Sequence, residues 1–202
     1  EFNREFNFQK DKINEIRYDK NLLTGCVNFF DTNFKNIILK SSDMICEDSI
    51  NIKNSSGIIN KIQIDNSYFD ALDLDFSKIK INDLKVNNAK NDCIDFSFGE
   101  YEIINANLKN CGDKGLSVGE RSKLNMHNGV IMYSNIGIAS KDDAITNVKN
   151  VAMNNMNICL AAYNKKKEFK GSKLNIKSLT CNQYNTLKQL DRLSEINILK
   201  QN

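Results

Sequence analysis

Apolar and polar residues alternate along this chain in short runs, and the runs recur at a fixed interval. Written one beneath another, "FDALDLDFS" from Phe69, "NDCIDFSFG" from Asn91, "DKGLSVGER" from Asp113, "NIGIASKDD" from Asn135 and "NICLAAYNK" from Asn157 place Ala71, Cys93, Gly115, Gly137 and Cys159 in one column, each 22 residues after the last. Ser49 in "EDSINIKNS" extends the column by the same step, and Cys26 in "TGCVNFFDT" joins it with a step of 23. The next column reads Ile50, Leu72, Ile94, Leu116, Ile138, Leu160; two residues further on stand Ile52, Leu74, Phe96, Val118, Ser140, Ala162. Period-two alternation within each segment predicts a strand that presents these columns on one face.

Between the aligned segments lie further alternating stretches, such as "KIKINDLKV" (78–86) and "YEIINANL" (101–108), punctuated by Asn, Asp and Gly. Each repeat therefore holds two or three short strands with turns, and has no room for a helix. A strand-only coil of this length predicts an all-β parallel β-helix of about seven rungs over residues 22–181, stacked about 4.8 Å apart. Columns in the alignment then become physical stacks. At the C-terminus, residues 182–202 are read as a cap: Leu187, Leu190, Leu193 and Ile196 after Thr186 have helix-like spacing. Residues 1–21, with Phe2, Phe6, Phe8, Ile13 and Ile16, are read as an opposite cap or a partial rung, and 163–172, "YNKKKEFKGS", as an insertion.

Composition sharpens this reading. The 32 Asn and the absence of Pro suit a fold with many tight turns whose internal strands all need their N–H groups. A net charge of +3 with interspersed signs gives no nucleic-acid footprint beyond Lys165-Lys166-Lys167, a run expected to be a solvated loop. No stretch is apolar enough to span a membrane, and residues 1–20 are too charged for a signal peptide. The chain begins at Glu1, which is read as a mature form or an excised domain. Six Cys with one His and no C-x-x-C pair make a thiolate metal site improbable. Cys93 and Cys159 stand three rungs apart, too far for a bond to one another, and are expected to be buried free thiols.

Stacking brings the aspartates together. Asp48, Asp70 and Asp92 form one column, continued by Lys114; Asp73 and Asp95 form a second on the outward face, with Ser117 next in line. Like charges about 5 Å apart repel by about 0.8 kcal/mol in water and about 3 kcal/mol at an effective dielectric of 20. Such a patch stays well solvated, holds raised pKa values or takes a cation. No cofactor is implied apart from calcium, whose candidate ligands are Asp70, Asp73, Asp92 and Asp95. "DALDLD" (70–75) is no EF-hand, since it lacks the ligand spacing, the Gly at its sixth position and flanking helices. Gly115-Leu116-Ser117-Val118-Gly119 matches G-x-S-x-G, but lies in a repeating strand rather than a strand–turn–helix elbow.

The repeat pattern of residues 22–181 resembles the right-handed parallel β-helix, or pectin-lyase-like, superfamily. Four rungs also resemble the polygalacturonase family of glycoside hydrolases, whose successive rungs carry N-T-D, D-D, G-H-G and R-I-K. The corresponding stretches are Tyr68-Phe69-Asp70, Asn91-Asp92, Lys114-Gly115 and Ala139-Ser140-Lys141. Asp70, Asp92 and Lys141 match, whereas Asn91, Lys114 and Ala139 do not; His127 lies outside this register. That likeness implies acid–base hydrolysis, or lysis, of an acidic glycan through Asp70 and Asp92, with Lys114 and Lys141 assisting. Because the pattern is degenerate, the favoured expectation is non-catalytic: a domain of a larger bacterial surface or polysaccharide-associated protein, binding carbohydrate through Asp73, Asp95 and Ser117 or acting as a spacer. The fold family places it outside the cell or in the envelope; free thiols would favour a reducing cytoplasm.

Overall fold

The computed structural model describes residues 4–9 and 22–202. Its thirteen strands are β1 (Arg4–Gln9), β2 (Gly25–Phe30), β3 (Asn33–Met44), β4 (Asp48–Lys53), β5 (Ser56–Ser67), β6 (Asp70–Asp75), β7 (Lys78–Ala89), β8 (Ile94–Ser97), β9 (Glu100–Gly119), β10 (Lys123–Lys141), β11 (Ile145–Tyr163), β12 (Lys173–Leu190) and β13 (Glu195–Gln201). They wind into a parallel β-solenoid of about eight turns, with no helix among the described residues. Short strands β2, β4, β6 and β8 stack on one side, while β1, β3, β5 and β7 stack on the other. From β9 to β12 each strand bends through both sides, so Ile94 pairs with Leu116, Leu116 with Ile138 and Ile138 with Leu160. The register step is that of the sequence columns.

Parallel pairing explains why the columns are uniform. Ile50, Leu72, Ile94, Leu116, Ile138 and Leu160 are all fully buried, each stacked on its equivalent above and below. Every such side chain contributes about 1.5–3 kcal/mol by leaving water. Two corners per turn require left-handed backbone. At one, Asp43, Asn66, Asn88 and Asn110 take positive φ, which short amide and carboxylate side chains tolerate. Their side chains form a ladder, Asn66 donating to Asp43 at 2.9 Å, Asn88 to Asn66 at 3.0 Å and Asn110 to Asn88 at 2.7 Å. The insertion appears as one change of step: Ile145 pairs with Lys173, 28 residues on, where Lys123 pairs with Ile145 at 22.

The expectation at the C-terminus is corrected. Residues 185–200 form no helix: β13 pairs with β12, joining Leu174 to Ile196 and Ile176 to Ile198. The 22-residue match to the preceding rung outcompetes the spacing of Leu187, Leu190 and Leu193, of which Leu190 and Leu193 end up exposed. At the other end β1 adds a partial rung on β3, including Phe6 and Phe8; Phe2, Ile13 and Ile16 lie outside the described residues.

The cysteines are not free. Cys26 is bonded to Cys46, Cys93 to Cys111 and Cys159 to Cys181. Each bridge runs from the corner column across the coil to a partner 18–22 residues on, whereas the column itself offers only cysteines several rungs apart. Loops of this size gain about 3 kcal/mol each in the chain-entropy account. The folded protein is therefore expected to resist alkylation until reduced and to melt at a markedly lower temperature afterwards; mass spectrometry with iodoacetamide, alongside calorimetry, checks both.

Candidate functional site

Within each short strand the residues between the core positions point outward, so β4, β6, β8 and the ends of β9 and β10 build three parallel columns on one outer face. The first runs Asp48, Asp70, Asp92, Lys114; the second Asn51, Asp73, Asp95, Ser117, Ala139; the third Lys53, Asp75, Ser97, Gly119 and the Lys141 turn. Asp70 Oδ1 accepts the backbone N–H of Asp92 and the side-chain amide of Asn91, both at 2.7 Å. Asp92 in turn accepts the backbone N–H of Lys114 at 3.0 Å and lies 3.4 Å from its ammonium, which also pairs with Asp113. Asn51 donates to Asp73 at 2.9 Å. Lys141 Nζ lies 3.5 Å from Asp95, its stem crossing Gly119, where a Cβ would stand 2.9 Å from Lys141 Cε.

The geometry brings Asp70, Asp92 and Asp95 together, with one oxygen of each within 4.8 Å of the others. Burial pushes Asp70 up to about 7, and the Asp92 charge adds to it. Burial also raises Asp92, to about 6, against the pull of Lys114. Asp48, Asp73 and Asp75 are raised by burial as well, Asp48 and Asp73 further by their carboxylate neighbours. Lys114 and Lys141 stay firmly protonated: burial pulls them down, but the aspartates beside them more than offset it. Ser117 is fully buried, and its hydroxyl has no hydrogen-bond partner; the same holds for Asn51 Oδ1.

Sequence reasoning missed the rim of this face. The second left-handed corner follows Asp31, Asn54, Phe76, Phe98, Glu120, Asp142, all with φ between 42° and 55°. Two phenylalanines thus occupy a conformation that suits Asn and Asp, and they remain substantially exposed. Their rings stack at 4.7 Å and 4°. From the insertion, Phe169 packs on Phe98 at 6.0 Å and beneath Arg121 at 5.4 Å. Asp142 anchors that loop by accepting the N–H groups of Lys165 and Lys166 at 2.6 and 2.8 Å. Lys166 is no free loop lysine, for it binds Glu120 at 2.6 Å, and Glu120 also accepts from Ser97 at 2.7 Å. Tyr68 and Phe69 stand exposed at the opposite rim.

Each sequence-predicted site residue therefore lies on this face: Asp70, Asp92 and Asp95 meet, Asp73 is drawn toward Asn51, and Lys114 and Lys141 neutralise Asp92 and Asp95. The oxygen donors suit a hard cation such as calcium in kind. Two ammonium groups nevertheless already hold the positions of counter-charge within the cluster. His127 lies apart, 3.2 Å from Glu102 on another side of the coil. Comparison of the chain with protein-family models, with curated proteins and with solved structures found no match.

The raised carboxyls bind protons more tightly in the folded chain than in the unfolded one. Their favourable contribution is complete below the unfolded value of about 4 and is lost as pH rises through about 6–7. The melting temperature is thus expected to be higher at pH 5 than at pH 8. Asp73→Asn, which removes one repelling charge and keeps an acceptor for Asn51, should raise Tm at pH 8 by about 2–4 °C and by less at pH 5. A calorimetric pH series on both proteins measures this; an unchanged or falling Tm on acidification contradicts it.

Proposed function

We propose that this solenoid is a carbohydrate-binding domain of a surface or polysaccharide-associated protein, and that the glycan lies along the aspartate face between its aromatic rims. The observation that carries this reading is the stacked, exposed Phe76–Phe98 pair, held in strained backbone beside the carboxylate columns. Strain of this kind costs about 1–3 kcal/mol per residue and is held here by the coil; placing Phe rather than Asn or Asp at such a corner adds to that cost and is the sort of choice found at sites. Phenyl faces attract the C–H faces of sugar rings through their quadrupole, while carboxylates of the adjacent columns, such as Asp75 beside Phe76 in the chain, accept sugar hydroxyls. Three disulfides fit an oxidising compartment, which supports an extracellular or envelope location. The superfamily likeness of the repeat is compatible with such a role but adds only an analogy of fold.

A second reading is favoured by one specific feature. Asp70 and Asp92 lie close together, and burial raises both into the range where a carboxyl can give up or take a proton near neutrality, as an acid or base of glycoside hydrolysis must. Titration of glycan oligomers followed by reducing-end analysis separates the two. Binding is expected without turnover, weakened about tenfold by Phe98→Ala, which removes one stacking ring. Release of reducing ends that Asp92→Asn abolishes would establish hydrolysis instead. No glycan affinity at all leaves a structural spacer.

A further inference from the structure

We infer that the glycan taken by this face carries free, protonated amino groups, so that its ligand class is an amino-sugar polymer rather than a uronate chain. This rests on the carbohydrate reading and names its ligand. Six carboxylates, Asp48, Asp70, Asp73, Asp75, Asp92 and Asp95, occupy the three columns against three lysines. Those lysines are already engaged: Lys53 lies 3.9 Å from Asp75, Lys114 3.4 Å from Asp92 and Lys141 3.5 Å from Asp95. Among the described residues Asp48, Asp70 and Asp73 hold only neutral donors, from Thr24, from Asn91 with the Asp92 N–H, and from Asn51. A uronate carboxylate brought onto this floor meets like charge, and Lys114 and Lys141 are buried in pairs it would have to break.

An independent observation also asks for a donor. Asn51 is 1% exposed, and it points into the cluster because its Nδ2 donates to Asp73; its Oδ1 has no partner. Ser117, one rung from Asp95 in the same column, likewise has an unpartnered hydroxyl. Buried acceptors left unpaired are costly, and a ligand rich in N–H and O–H groups relieves them. The rim matches the same chemistry. Lys53 Nζ already lies 6.0 Å from the Phe76 ring, an arrangement a sugar ammonium can repeat while its C–H face meets the stacked pair.

The test is calorimetric titration of the intact, disulfide-bonded protein at neutral pH, where Asp92 is ionised and part of the sugar amines is still protonated. The probes are glucosamine, N-acetylglucosamine and galacturonate oligomers of equal length, with an oligolysine of the same charge. The glucosamine oligomer is expected to bind at least about tenfold tighter than the other three and to weaken as salt rises. Asp73→Asn should lose about tenfold of that affinity while melting higher than the parent, so lost binding cannot be put down to unfolding. Galacturonate or N-acetylglucosamine binding as tightly as glucosamine overturns the amine assignment and leaves the carbohydrate reading standing. Equal affinity for oligolysine overturns it by reducing the site to charge capture. No affinity for any sugar overturns both.

Discussion

Everything in this molecule depends on the parallel backbone ladder that joins each turn to the next at a step of 22 residues. A strand edge in such a coil is satisfied only by another strand in matching register. Once that register is set, residues far apart in sequence become neighbours about 4.8 Å apart. The core follows directly, since aliphatic residues in one column pack on aliphatic residues in the same column. So does the unusual face, because the same repetition that stacks Leu72 on Ile94 also stacks Asp73 on Asp95.

The conflict between those two stacks is informative. Backbone pairing forces the aspartates together against their mutual repulsion, and burial raises their pKa values further. Lys114 and Lys141 offset part of this cost, yet buried ion pairs add little net stability over apolar packing. A solenoid under selection for stability alone has a simpler solution, which the chain uses further along, at Ala139 and Ala161, both buried in the same column. The charged rungs therefore ask for a reason other than stability, which the proposed glycan site supplies. Strained phenylalanines at the rim, and a loop pinned by Asp142 and Glu120 beside them, point the same way.

The scaffold and the aspartate columns were legible because both are carried by one period. Asp48, Asp70 and Asp92 fall into line by counting, as do Asp73 and Asp95. What escaped the count were contacts across the coil rather than along it. Cys93 pairs with Cys111 on another side of the turn, a relation that a column of equivalent positions does not display. Phe76 and Phe98 were readable in principle, since they interrupt a corner otherwise filled by Asp, Asn and Glu; recognising them required knowing that the corner is left-handed. The C-terminal residues were misread because leucines three apart mimic a helix, whereas Ile196 and Ile198 already matched Leu174 and Ile176.

The 22-residue register packs these carboxyls into one poorly solvated cluster. Following the side-chain carboxyl carbons of Asp70 and Asp92 by NMR across a pH titration tests it most directly. Midpoints of about 7 for Asp70 and about 6 for Asp92 are expected. Midpoints at the ordinary aspartate value of about 4 for both would contradict it.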